Sequence, residues 1–114
     1  MKSEISKKPT SSNQMWLVYD ALNPEEANKL MEAITADDLC QTMSERFSAE
    51  LYYSCYGCRR SKDGEKFWAR DLIFSIQGQC CRGNDRISVE EMLEQEREDL
   101  EEIRIILKEK TGIE

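Results

Sequence analysis

Residues 51–77 read LYYSCYGCRRSKDGEKFWARDLIFSIQ. Two runs rich in Tyr, Phe, Trp and Ile, Leu51 to Arg60 and Phe67 to Gln77, flank the pair Asp63-Gly64. Aromatic and β-branched side chains favour strands. Asp-Gly favours a hairpin turn, because glycine accepts a positive φ. A two-residue turn there sets Cys55 opposite Leu72, Tyr53 opposite Phe74 and Leu51 opposite Ile76. With Trp68 these positions predict a core face. The other face carries Tyr52, Tyr56, Phe67 and Ile73 among Ser54, Asp71 and Ser75.

C-terminal to the hairpin, the pattern changes to a helical period. Ser88 stands three residues before Glu91, the spacing of a capping box. Val89, Leu93, Leu100, Ile103 and Leu107 recur on one helical stripe. Gly112 follows Lys108 and Lys110, which suits a C-cap glycine and the negative helix end. The expectation is a long acidic helix from about 88 to 110. From Ser88 to Glu102 eight acids face one base, Arg97, so this segment alone carries −7. Glu96 interrupts the apolar stripe. A carboxylate at such a position disfavours a two-stranded coiled coil, so the helix is expected to pack on its own domain with its acidic face in water.

N-terminal to the hairpin, Met15–Tyr19 is a short apolar run that suits a strand covered on both faces. Asn23-Pro24-Glu25-Glu26 opens a helix: asparagine caps, proline fits the first turn, and Glu26 completes a capping box. Ala27, Leu30, Met31 and Ile34 give that helix one apolar face. Leu39, Met43 and Phe47 are four apart and predict a second, short helix. Residues 1–13, MKSEISKKPTSSN, hold one apolar residue beyond Met1 and read as a disordered polar tail. No apolar run follows its lysines, as a signal peptide would need.

The order β-α-(α)-β-β-α over residues 14–114 predicts a single small α+β domain. Its sheet would be antiparallel and three-stranded, with the helices on one face. A right-handed crossover would place the third strand between the first two and leave Met15–Tyr19 as an open edge.

The chain has 114 residues, 23 acids, 16 bases and no histidine, for a net charge of −7. That balance reads against a nucleic-acid binder, because phosphate neutralisation needs a cationic surface. Lacking histidine, it lacks the commonest general base and metal ligand. No apolar run approaches the ~18 residues of a membrane span. The glycines form no phosphate loop. No cofactor is implied, and the expectation is a non-enzymatic protein.

Cys40, Cys55, Cys58, Cys80 and Cys81 make an odd count, which points to a reducing, cytoplasmic compartment. Cys55-Tyr-Gly-Cys58 followed by a Cys-Cys pair invites a zinc reading. On a regular strand, however, positions three apart face opposite ways, although a knuckle at Gly57 could bring that pair together. Cys80 lies eight residues past the partner of Cys55, roughly 26 Å away at strand rise. The preferred reading is that the cysteines are small buried apolar residues, with a zinc-binding module as an alternative.

Charge segregation remains. Arg59, Arg60, Lys62, Lys66 and Arg70 surround the hairpin tip, while the last helix is acidic. The first functional reading is a small acidic binding or regulatory protein that meets a protein partner, or its own copy as a homodimer, through the sheet edge or the aromatic face of Tyr52, Tyr56, Phe67 and Ile73. The second is an inhibitor of the kind found in phages and mobile elements. Its Glu94, Glu98 and Glu101 would imitate nucleic acid and occupy a basic channel. In either case a partner of the helix would be basic, since its field steers cationic surfaces.

Overall fold

The computed structural model describes residues 2–9, 14–60, 62–64, 67–77 and 88–114. It shows an α+β domain with a four-stranded antiparallel sheet and three helices. The strands are β1 (Ser3–Lys7), β2 (Met15–Tyr19), β3 (Glu50–Arg60) and β4 (Phe67–Gln77). The helices are α1 (Pro24–Thr35), α2 (Leu39–Phe47) and α3 (Val89–Thr111), with a 3-10 turn at Ala36–Asp38 before α2.

The sheet order is β1-β2-β4-β3. β4 therefore lies between β2 and β3, and Leu51↔Ile76, Tyr53↔Phe74 and Cys55↔Leu72 pair in the register that the Asp63-Gly64 turn dictates. The fourth strand corrects the three-stranded expectation. Ser3–Lys7, within the stretch read as a polar tail, pairs antiparallel with β2 from Ser3↔Tyr19 to Lys7↔Met15. It covers the β2 edge that was expected to be open. The amides of Lys2 and Ser3 also donate to the Glu114 carbonyl at 2.9 and 2.8 Å. Backbone hydrogen bonds thus order a segment whose side chains bury little.

The helix ends follow the local chemistry. Asn23 accepts from the Glu26 amide at 2.8 Å, and Glu26 accepts in return from the Asn23 amide at 3.1 Å. Ser88 accepts from the Glu91 amide at 3.2 Å. Gly112 closes α3 at φ 75°, where a side chain would be strained.

One face of the sheet holds the core. Met15, Leu17, Tyr19, Leu51, Leu72, Phe74 and Ile76 are buried against Leu30, Ile34, Met43, Phe47, Leu100, Ile103 and Leu107 of the helices. β2 alternates buried and half-buried residues. It is thus covered on one face rather than on both, since a strand with period two sends Trp16 and Val18 away from the helices. Tyr53 and Cys55 are exposed rather than core, and Trp68 is half-buried, its indole N–H donating to the Leu22 carbonyl at 3.3 Å. Along β3 only Leu51 is buried, so the distal half of β3 runs beyond the helices, whereas Trp68 and Ala69 of β4 stay half-buried against the core beside α1.

The carboxylates of α3 depart from the expected solvated face. Glu96 and Asp99 are buried, at 2% and 6% exposure. Glu96 accepts from the Met15 amide at 3.4 Å and Asp99 accepts from the Gln95 side chain at 3.0 Å. Glu101 pairs with Arg104 at 2.9 Å, and Glu102 with Arg46 at 2.5 Å.

Tyr19 is fully buried, its ring edge-on to Phe74 at 6.1 Å, and its hydroxyl has no hydrogen-bond partner. Burial pushes that phenol well above its ordinary range. Leaving a polar group buried and unbonded costs about 1–3 kcal/mol. Tyr19→Phe is therefore expected to stabilise the fold by about 1 kcal/mol in urea denaturation. A loss of stability would show that the hydroxyl is hydrogen-bonded.

Candidate interaction face

The sheet register builds the surface opposite the core. Ser6, Trp16, Ser75 and Tyr52 form one cross-strand row, and Glu4, Val18, Ile73 and Ser54 form the next. Adjacent strands lie about 4.8 Å apart, so Trp16 and Tyr52 flank Ser75 with one small side chain between them. Among the described residues no helix packs on this face, because the helices share the core cluster on the other side. Tyr52 is 44% exposed and Tyr56 53%, whereas Ile73, Trp16 and Val18 are half-buried. The Tyr52 hydroxyl donates to the Glu50 carboxylate.

Phe67, 64% exposed, sits toward the hairpin end, away from these rows, with the Arg60 guanidinium 4.2 Å above its ring. A cation in that position is held by the ring quadrupole. Phe67 also lines a hollow of about 620 Å³ with Trp68, Ala69, Pro24, Ala27 and Met31. Asp71 pairs with Arg70 at 3.1 Å and accepts from the Ala21 amide at 3.2 Å. Burial pushes its carboxyl up, but hydrogen bonds with the Arg70 and Asp20 side chains and the Ala21 amide outweigh that and hold it below the usual range.

Tyr52, Tyr56 and Ile73 thus share one surface, with Phe67 toward its far end. Glu94, Glu98 and Glu101 are not part of it. They lie on α3, which packs against the opposite side of the sheet. Glu98 and Glu101 line a groove of about 600 Å³ with Ser3, Ile5, Arg97 and Arg104, so cations interleave with the carboxylates. Trp16 is the surface residue that sequence reasoning missed. Its signal was the alternation of Met15, Leu17 and Tyr19 with Trp16 and Val18.

The cysteines correct the expectation of burial. Cys55 and Cys58 are exposed, and Cys40 is half-buried. Burial raises the Cys40 thiol, with Asp38 adding to it, and burial raises that of Cys55, with Cys58 adding to it. Gly57 does adopt a left-handed φ of 64°, and a Cβ there would lie 3.2 Å from Cβ of Arg70. Pairing nonetheless resumes at Cys58↔Ala69. Among the described residues no group of three or more His, Cys, Asp or Glu is placed to hold a metal ion. Cys80 and Cys81 lie outside the described residues. No helix among the described residues is long and apolar enough to cross a membrane. Compared with protein-family models, curated proteins and solved structures, the chain matches none.

Proposed function

We propose that this chain is a non-enzymatic binding and regulatory protein that holds a protein partner on its open sheet face. The observation that carries this reading is an aromatic surface, Trp16, Tyr52 and Tyr56 around Ile73, with no helix over it among the described residues. Tyr and Trp are the side chains on which interface energy concentrates. The reading in which α3 imitates nucleic acid draws less support. Glu96 and Asp99 face inward, and Glu101 and Glu102 are bound to arginines. Phosphate-like spacing would have to come from Glu90, Glu91, Glu94 and Glu98.

Two variants separate these readings: Trp16→Glu with Tyr52→Glu on the face, and Glu94→Lys with Glu98→Lys on α3. The partner is identified first by mass spectrometry of complexes from the native host. The face variant is expected to weaken that partner by about thirtyfold or more, the effect of losing one strong anchor. The helix variant is expected to leave affinity within about threefold, as rim charges do. The opposite pattern would reject the sheet face in favour of the acidic helix.

A further inference from the structure

We propose that the open face receives the β3–β4 arm of a second copy of this chain, each arm lying across the other copy's face in a closed two-fold dimer. This rests on the reading of the face as the docking surface and commits it to one occupant.

Length is the first support. β3 and β4 each run eleven residues, but β2 pairs with β4 only from Leu72 to Ser75. Residues 56–60 and 67–71 therefore run past β2, with Arg70 and Asp71 still bonded to the Leu22 and Ala21 amides at the β4 edge. At strand rise, five residues extend about 17 Å, the length of the five-residue strands β1 and β2. The arm is as long as the surface it would cover. The molecule is correspondingly elongated, 53 × 30 × 20 Å.

Charge is the second. Residues 56–71 contain five bases and three acids, net +2 in a chain of −7; of the −9 in the rest of the chain, −7 lies in residues 88–102 on the far side of the sheet and −2 elsewhere. Around the rows of Trp16 and Val18 the exposed charges are Glu4, Lys7, Asp20 and Glu50; Lys7 pairs with Met15 in the core-side register, Asp20 is hydrogen-bonded with Asp71, and Glu50 accepts from Tyr52. The cations nearby are engaged or peripheral. The Lys2 ammonium donates to the Ala21 carbonyl at 2.8 Å and pairs with Glu26 at 3.5 Å. Lys8 lies past the end of β1, and Arg70 is held by Asp71. A basic arm and an acidic receiving surface thus occur on one chain.

Surface chemistry is the third. The arm presents Tyr56 and Arg60 on the same side of the sheet as Trp16 and Tyr52, with Phe67 beneath Arg60 and also bordering the hollow beside α1. When two copies stack with these sides facing, about a two-fold axis between arm and core, each arm meets the other core and both contacts are identical. Two sheets facing each other at about 10 Å interdigitate their side chains.

The test uses the full chain in sedimentation velocity and light scattering. The expected result is a particle of twice the 13.3 kDa chain mass. Its dissociation constant should weaken by about tenfold or more between about 0.1 M and about 0.5 M salt, because exposed ion pairs are screened. Arg60→Glu with Lys62→Glu should give a monomer, as should Glu4→Lys with Asp20→Lys. Mixing the two variants should restore the dimer, since the reversed arm then meets the reversed face and the unchanged arm the unchanged face. A monomeric wild type would overturn the inference, and capture of a foreign partner would still decide the broader reading. A dimer broken by Tyr52→Glu but indifferent to both charge reversals and to salt would keep the face and remove the arm. Failure of the mixture to reassociate, with both variants folded by circular dichroism, would also overturn it.

Discussion

Phe74→Ala is expected to destabilise the protein by about 3–5 kcal/mol, the range for emptying an aromatic site in a closed core. Phe74 is fully buried on the central strand β4. Its ring meets Tyr19 at 6.1 Å and Tyr53 at 6.2 Å. It belongs to the cluster that Leu30, Leu100 and Ile103 close from the helix side. Those walls belong to separate elements already anchored elsewhere, so they have little freedom to collapse into the vacated volume. A domain of this size holds only about 5–15 kcal/mol in total, so one substitution removes a large share of it. Urea denaturation followed through Trp16 and Trp68 would report the loss. A cost below about 1 kcal/mol would mean that the site is not close-packed.

Stability should fall as pH rises from about 5 to about 8, and Glu96→Gln should remove that fall. Burial pushes the Glu96 carboxyl up; the Met15 amide opposes the shift, Asp99 adds to it, and the result is about 7. An unfolded glutamate titrates near ~4.3. Between these values the folded state holds a proton that the unfolded state has released. Stability is therefore fully present below the unfolded value and is lost as pH climbs through the folded one. The loss is on the order of 2–3 kcal/mol. Near pH ~8 the glutamine variant should exceed the wild type by about that amount, and near pH ~5 the two should differ little. Thermal or urea unfolding at the two pH values decides it. Parallel pH profiles for the two proteins would show that Glu96 is ionised when folded.

The hairpin was legible because its determinants are local. Asp63-Gly64 fixes the turn, and the turn fixes which residues of Leu51–Arg60 and Phe67–Gln77 oppose each other. The caps at Asn23 and Ser88 were legible for the same reason. β1 was not. Ser3–Lys7 has no strand pattern of its own, and it is ordered by β2 and by the Glu114 carbonyl at the other end of the chain. The burial of Glu96 was half-legible: its position on the apolar stripe showed, but its satisfaction by the Met15 amide depends on tertiary packing. Tyr53 and Cys55 were misread as core because alternation gives a side of the sheet and not how far the helices reach along it. In the surface rows, Tyr52, Tyr56 and Ile73 followed from register. Trp16 was obscured by an apolar run that looked uniformly buried.

The placement of β4 between β3 and β2 has a consequence for the order of folding. β3 and β4 are consecutive strands that pair from Arg60↔Phe67 onward, and a hairpin closes in about 1–10 μs. β2 reaches β4 only across the long stretch that contains α1, α2 and β3. Closing so long a loop costs more entropy, and contacts far apart in sequence slow folding. The local hairpin can therefore form before its neighbours, whereas the row of Ser6, Trp16, Ser75 and Tyr52 is assembled only when the distant seam has closed. A half-folded chain would display the hairpin without the finished aromatic face. Exposure of that aromatic face is thus coupled to completion of the fold, and only chains that have closed their longest loop present it.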